Sequence, residues 1–181
     1  MHIPDGFINA ETSLGAGLVA AGGLGVSLRL AAEALEERLA PLAGLVSAFV
    51  FAAQMLNFPV AAGTSGHLLG GVLAAVLVGP WAGAVCVTVV LAVQALMFAD
   101  GGISALGLNV VNMALVGAFG GYAVFLLLRR LLPSTKSGVV VASGLAAGIA
   151  VVMASMAFTL EYAIGGTGGT AERRWAGWRR P

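Results

Sequence analysis

Residues 105–131 read Ala-Leu-Gly-Leu-Asn-Val-Val-Asn-Met-Ala-Leu-Val-Gly-Ala-Phe-Gly-Gly-Tyr-Ala-Val-Phe-Leu-Leu-Leu-Arg-Arg-Leu. No charged residue falls between Ala105 and Leu128, and then Arg129 and Arg130 arrive together. As an α-helix that uncharged run rises about 36 Å, more than the ~30 Å hydrocarbon core of a bilayer. It reads as a membrane span, and the arginine pair marks its return to water. The rest of the 181-residue chain has the same character. Hydrophobic residues make up 59%, charged residues 9%, and the mean hydropathy is +0.98. A soluble domain carries roughly 25% charged residues. This composition excludes a water-soluble enzyme, and its apolar content excludes disorder. A formal net charge of +1 with no basic face excludes a nucleic-acid partner. A single cysteine, Cys86, excludes an internal disulfide and reads as packing.

Outward from that span, apolar runs predict further helices at about 12–38, 42–57, 67–78, 81–98 and 138–164. The expected fold is therefore an all-α, polytopic transmembrane bundle of about six helices, with the segment near 67–78 too short to cross alone. Pro41 suits the first turn of the second helix, and Gly79-Pro80 ends the short segment. Arg38, Arg129, Arg130 and Lys136 fall on one side under this count, whereas loops 58–66 and 99–104 carry no Lys or Arg. The positive-inside rule then places the N-terminus outside. Residues 1–165 read as one integral-membrane domain. Residues 166–181, rich in Gly, Arg and Trp, lack any periodicity and read as a disordered or altered tail.

Few polar groups remain to carry chemistry. The chain starts Met1-His2-Ile3-Pro4-Asp5-Gly6. A free Met-His start offers the α-amine of Met1, the amide nitrogen of His2 and the imidazole of His2 as donors of two fused chelate rings. Planar nitrogen sets suit Ni(II) or Cu(II), with low-spin Co(II) also open, and binding them requires loss of the amide and ammonium protons. Pro4-Asp5-Gly6 is a turn signal that would fold these residues back into the bundle. His67, after Gly63-Thr64-Ser65-Gly66, is the second candidate. It is expected to open the short helix, capped by Thr64 or Ser65, with the helix dipole favouring its neutral form. The topology puts both histidines on the outer side, where they could complete a set of four nitrogens.

Gln54 and Asn57, and Asn109 and Asn112, read as helix-to-helix hydrogen bonds or as groups holding His67 from behind, as does Ser65. Asp100-Gly101-Gly102 reads as a loop turn, and Glu161 lacks an identifiable partner. In the first helix, Ala16 and Ala20 form a small-xxx-small pair, as do Ala21 and Gly25; these suit close approach of another helix, in a partner or within the bundle.

Met-His-Ile-Pro-Asp-Gly-Phe at 1–7, Phe-Ala-Ala-Gln-Met-Leu-Asn-Phe-Pro-Val at 51–60 and Gly-Thr-Ser-Gly-His-Leu-Leu-Gly-Gly at 63–71 together resemble the CbiM/NikM family. These are substrate-binding (S) components of cobalt and nickel energy-coupling-factor transporters. Leu-Val-Gly-Pro-Trp-Ala at 77–82, Asp-Gly-Gly at 100–102 and Gly-Leu-Asn-Val-Val-Asn-Met at 107–113 are similar too. The resemblance implies Met1, His2 and His67 as ligands of transported Co(II) or Ni(II), with no organic cofactor and no catalysis on this chain. It implies a transmembrane coupling (T) subunit, two cytoplasmic ATPase subunits and, in cobalt systems, commonly a small accessory membrane subunit, with the first helix contributing to coupling-subunit contact. The start is more like the cobalt branch, implying cobalt for cobalamin biosynthesis, although the ligands themselves do not separate the two metals. The family pattern also has a further hydrophobic helix after the sixth span, replaced here by the tail. The competing readings are a membrane metalloenzyme using His2 and His67, which lacks a general base near either histidine along the chain, and a passive metal channel.

Overall fold

The computed structural model describes residues 2–34, 39–59 and 65–168. Asn9 starts the first helix, α1 (Ala10–Ala34): its side-chain oxygen accepts from the Thr12 N–H at 2.9 Å, satisfying a donor the helix leaves free. Helix α2 (Ala40–Gln54) has Pro41 in its first turn, as expected. A two-residue antiparallel pair, β1 (Phe58–Pro59) with β2 (Ser65–Gly66), follows and delivers the chain to His67. Next come α3 (Gly71–Val78), α4 (Pro80–Met97), α5 (Leu106–Leu131) and α6 (Lys136–Gly165). The middle of α5, Val110–Gly120, is wound as a π-helix. Among the described residues four helices are long and apolar enough to cross a bilayer, namely α1, α4, α5 and α6, while α2 is a shorter apolar helix of 15 residues. The architecture is the all-α multi-pass bundle expected, a membrane protein by composition and span length.

One boundary needs correcting. The short helix starts at Gly71, not at 67. Gly70 adopts φ +83°, a left-handed turn that bulkier residues disfavour, so 67–70 runs in without helical geometry. His67 therefore neither opens the helix nor meets its dipole, and the helix has no side-chain cap. Thr64 and the side chain of Ser65 lie outside the described residues.

Packing follows small residues. On α6, Ala142, Ala146, Ala150 and Ala154 are all 3% exposed or less and form a stripe, four residues apart, against the core. The opposite face carries exposed Val141, Leu145 and Val152, a surface fit for lipid rather than water. Gly71 packs against the α5 backbone so closely that a Cβ there would sit 2.7 Å from Ala118 N. Ala20 is buried, and Ala16 packs onto the cluster of Ile3, Ile8, Ala105 and Leu108. This corrects the expectation of a partner surface at Ala16 and Ala20: both face inward, and the packing they serve is within the chain. Ala21 and Gly25 are the exposed pair.

The start of α1, the ends of α2, α4 and α6, and the start of α5 meet at one end of the bundle. Arg29, Arg129, Arg130 and Lys136 lie towards the other, so that first end is the outer one by the positive-inside rule. Arg38 lies outside the described residues.

Candidate metal-binding site

The outer end is built around the N-terminal segment. The turn forms where Pro-Asp-Gly stands, with Phe7 N–H donating to Pro4 O at 3.4 Å and Gly6 at φ +77°. It turns the chain inward, burying Ile3 and Ile8 at 3% and 5% exposure against Ala105 and Leu108. Phe7 lies beside Phe158 and Tyr162 of α6. Asn9 N–H donates to Gly165 O at 2.7 Å, and Thr167 N–H donates to Phe7 O at 3.2 Å, so the chain just beyond α6 straps the segment down. The tail residues 169–181 lie outside the described residues.

From the opposite side the loop after α4 and the first turn of α5 grip the segment. Asn109 holds both backbone groups of Ile3: its Oδ1 accepts from Ile3 N–H at 2.8 Å and its Nδ2 donates to Ile3 O at 3.2 Å. Gly102 N–H donates to the same carbonyl at 2.9 Å. The Asp5 carboxylate accepts from Ser104 N–H at 2.7 Å and from its hydroxyl at 2.6 Å, and those bonds hold its pKa below the ordinary value. A Cβ on Gly102 would run into Asp5 N and Pro4 C, so glycine lets the two strands of chain touch.

This seating brings His2 to His67. Their near-parallel rings have centroids 4.8 Å apart and an interplanar angle of 23°. The His2 Nδ1 lies 2.9 Å from Asp100 Oδ1, and His67 Nδ1–H donates to Leu68 O at 2.8 Å. Both Nε2 atoms are buried without a hydrogen-bond partner among the described residues. Burial pushes the His67 imidazole down to about 4, overcoming its bond to Leu68, and lowers that of His2 as well, so both rings stay neutral at neutral pH. Neutral imidazole is the form that binds a metal. Burial thus does what the sequence reading had assigned to a helix dipole.

Of the other expected groups, Gln54 donates to Leu69 O at 2.9 Å and so anchors the His67 segment, while Asn57 is exposed beyond α2. Asn112 donates to Glu161 Oε2 at 2.7 Å, a helix-to-helix bond that also gives Glu161 its partner. Asn109 makes no such bond, since it holds the N-terminal segment instead. Sequence reasoning passed over Asp100 as a plain turn residue. Its carboxylate touches His2, which removes the argument that no acidic group stands near either histidine. Met1 lies outside the described residues.

A multi-pass helical bundle whose segment at residues 2–8 is folded in to bring His2 beside a buried histidine defines the class. The chain belongs to the CbiM family, the cobalt uptake substrate-specific transmembrane region, whose pattern matches residues 2–178 and so runs into the Gly/Arg/Trp-rich end. It is similar to a putative fused nickel transport protein NikMN of Archaeoglobus fulgidus, with 48% identity over 72% of this chain and 43% of that protein. It is also similar to a putative metal transport protein of Haloquadratum walsbyi, with 45% identity over 72% of this chain and 60% of that one. Against both relatives it spans less than two thirds of their length. A crystal structure described as a truncated transition metal transporter superposes with a TM-score of 0.82 at 34% identity, over 89% of this chain and 73% of that one.

Proposed function

We propose that this chain is the substrate-capture subunit of a metal importer, taking Co(II) or Ni(II) from outside the membrane through Met1, His2 and His67. One observation carries the reading: two histidines 65 positions apart stand side by side, each with a buried, unclaimed Nε2. With metal–nitrogen bonds of about 2.0 Å, imidazoles on adjacent corners of a square plane have centroids about 4.4 Å apart. The observed centroid separation of 4.8 Å is close to that. Among the described residues no three His, Cys, Asp or Glu side chains group into a site. Two imidazoles alone are too few for a tight site; the main-chain amide of His2 and the amine of Met1, linked to the His2 ring through the chain itself, are the donors that would complete it.

In this reading a coupling membrane subunit and two cytoplasmic ATPases drive import, with a small accessory subunit in a cobalt system. The family description names cobalt, and the Archaeoglobus relative is named for nickel; we favour cobalt on the start motif. Asp100 beside His2 gives the metalloenzyme reading an acidic group it had lacked, but the relatives are named as transport proteins. Uptake of radiolabelled Co(II) into vesicles tests the proposal. Transport should require the ATPase partners and ATP, and fail in His67→Ala. Uptake by this chain alone down a gradient would favour a channel, and chemical turnover by this chain alone a metalloenzyme.

A further inference from the structure

The α-amine, the His2 amide and the His2 ring close fused five- and six-membered rings only through Nδ1, the ring nitrogen next to Cγ. In the structure that atom is turned to Asp100, and His67 Nδ1 is taken by Leu68 O. Each imidazole thus has Nδ1 fixed by an acceptor and its Nε2 unpartnered, the arrangement in which histidines are prepared to receive a cation. A half-turn of His2 about Cβ–Cγ would break the Asp100 contact and bring Nδ1 to the side now occupied by Cδ2. The loop makes the contact tight: a Cβ on Gly101, at φ +97°, would sit 3.2 Å from His2 Cβ.

Resting on the capture function above, we propose that the ion is taken in two stages. The Nε2 atoms of His2 and His67 capture it first. His2 then makes a half-turn that exchanges Nε2 for Nδ1 and closes the chelate with the His2 amide and the Met1 amine. Asp100 is the positioning residue that holds the ring in the capture orientation. In the second stage Nδ1, the amide and the Met1 ammonium each shed a proton; the freed Nε2 takes one and solvent takes the other two.

The test is stopped-flow mixing of Ni(II) with the full 181-residue chain in detergent, beginning at Met1. Ion uptake is followed by depletion of a metal indicator. Chelate closure is followed by the visible absorption of planar, amide-bound Ni(II). The wild type should show uptake at a rate proportional to Ni(II), then colour at a rate independent of it. Asp100→Ala should speed the colour phase roughly 10- to 100-fold, the factor expected for a lost charge-assisted hydrogen bond. The isosteric Asp100→Asn should move it less, in the same direction. Acetylating the Met1 amine should keep the uptake phase and abolish the colour. Simultaneous uptake and colour in the wild type, or an Asp100→Ala variant whose colour phase is unchanged or slower, would overturn the proposal. No uptake of Ni(II) or Co(II) by the wild type would instead overturn the capture function beneath it.

Discussion

Replacing Asn109 with leucine, a close apolar match in volume, should release the N-terminal segment while leaving the bundle folded. The wild-type amide is 2% exposed and bonds both backbone groups of Ile3. The Ile3 carbonyl keeps Gly102 N–H at 2.9 Å, so the loss falls on the Ile3 N–H, left buried without an acceptor. An orphaned donor of this kind costs about 1–3 kcal/mol, and the second side-chain bond contributes about 0.5–1.5 kcal/mol. Together they weaken seating by about 1.5–4.5 kcal/mol, a factor of roughly ten to two thousand. Hydrogen exchange at residues 3–8 should speed by that factor. Ni(II) affinity should fall by whatever part of it the remaining anchors, Ile3 and Ile8 in their apolar cluster, do not absorb. Thermal unfolding of the bundle should change little. Unaltered exchange protection at residues 3–8, with Ni(II) affinity within about threefold of wild type, would refute the reasoning.

Other outcomes follow from the same contacts. Gly102→Ala should undock the segment as well, because its Cβ would sit 2.7 Å from Pro4 C with Asp5 N closer still; exchange at residues 3–8 measures this. Deleting residues from about 170 onward should leave metal binding unchanged, whereas deletion from 165 removes the partners of Asn9 and Phe7 and should weaken it in a calorimetric titration. Buried neutral His67, with its pKa lowered from 6.5 to about 4, binds its proton later than the unfolded chain does. Its contribution to the stability of the protein without added metal is complete above about pH 6.5 and is lost as pH falls towards 4. His67→Gln should flatten that part of the profile of unfolding temperature against pH.

The spans were legible because an uncharged run long enough to cross a bilayer has few other fates, and the arginines at one end of α5 fixed the common side of the two histidines. The inner faces of helices were not legible in the same way. In α1 both sides are apolar, so Ala16 and Ala20 looked as available to a partner as Ala21 and Gly25, and only the packing shows that they point inward. The start of α3 was misplaced because a backbone turn at Gly70 decides it, and glycine at that position fits a helix or a break alike. His2 and His67 stood out as the two histidines of the chain. Asp100 and Asn109 did not, because what they do depends on contacts 98 and 106 residues away. An acid followed by two glycines in an outer loop, and an asparagine at the first turn of a span, are the signals by which they could have been found.

The central claim is that the chain's own first residue helps hold the metal. Calorimetric titration of Co(II) and Ni(II) tests it, comparing the chain that begins with a free Met1 amine with the same chain acetylated at that amine. The free start should bind one ion per chain, and the acetylated chain should bind at least about a hundredfold more weakly, retaining only histidine capture once the linked amine donor is lost. Equal affinity in the two forms would contradict the account.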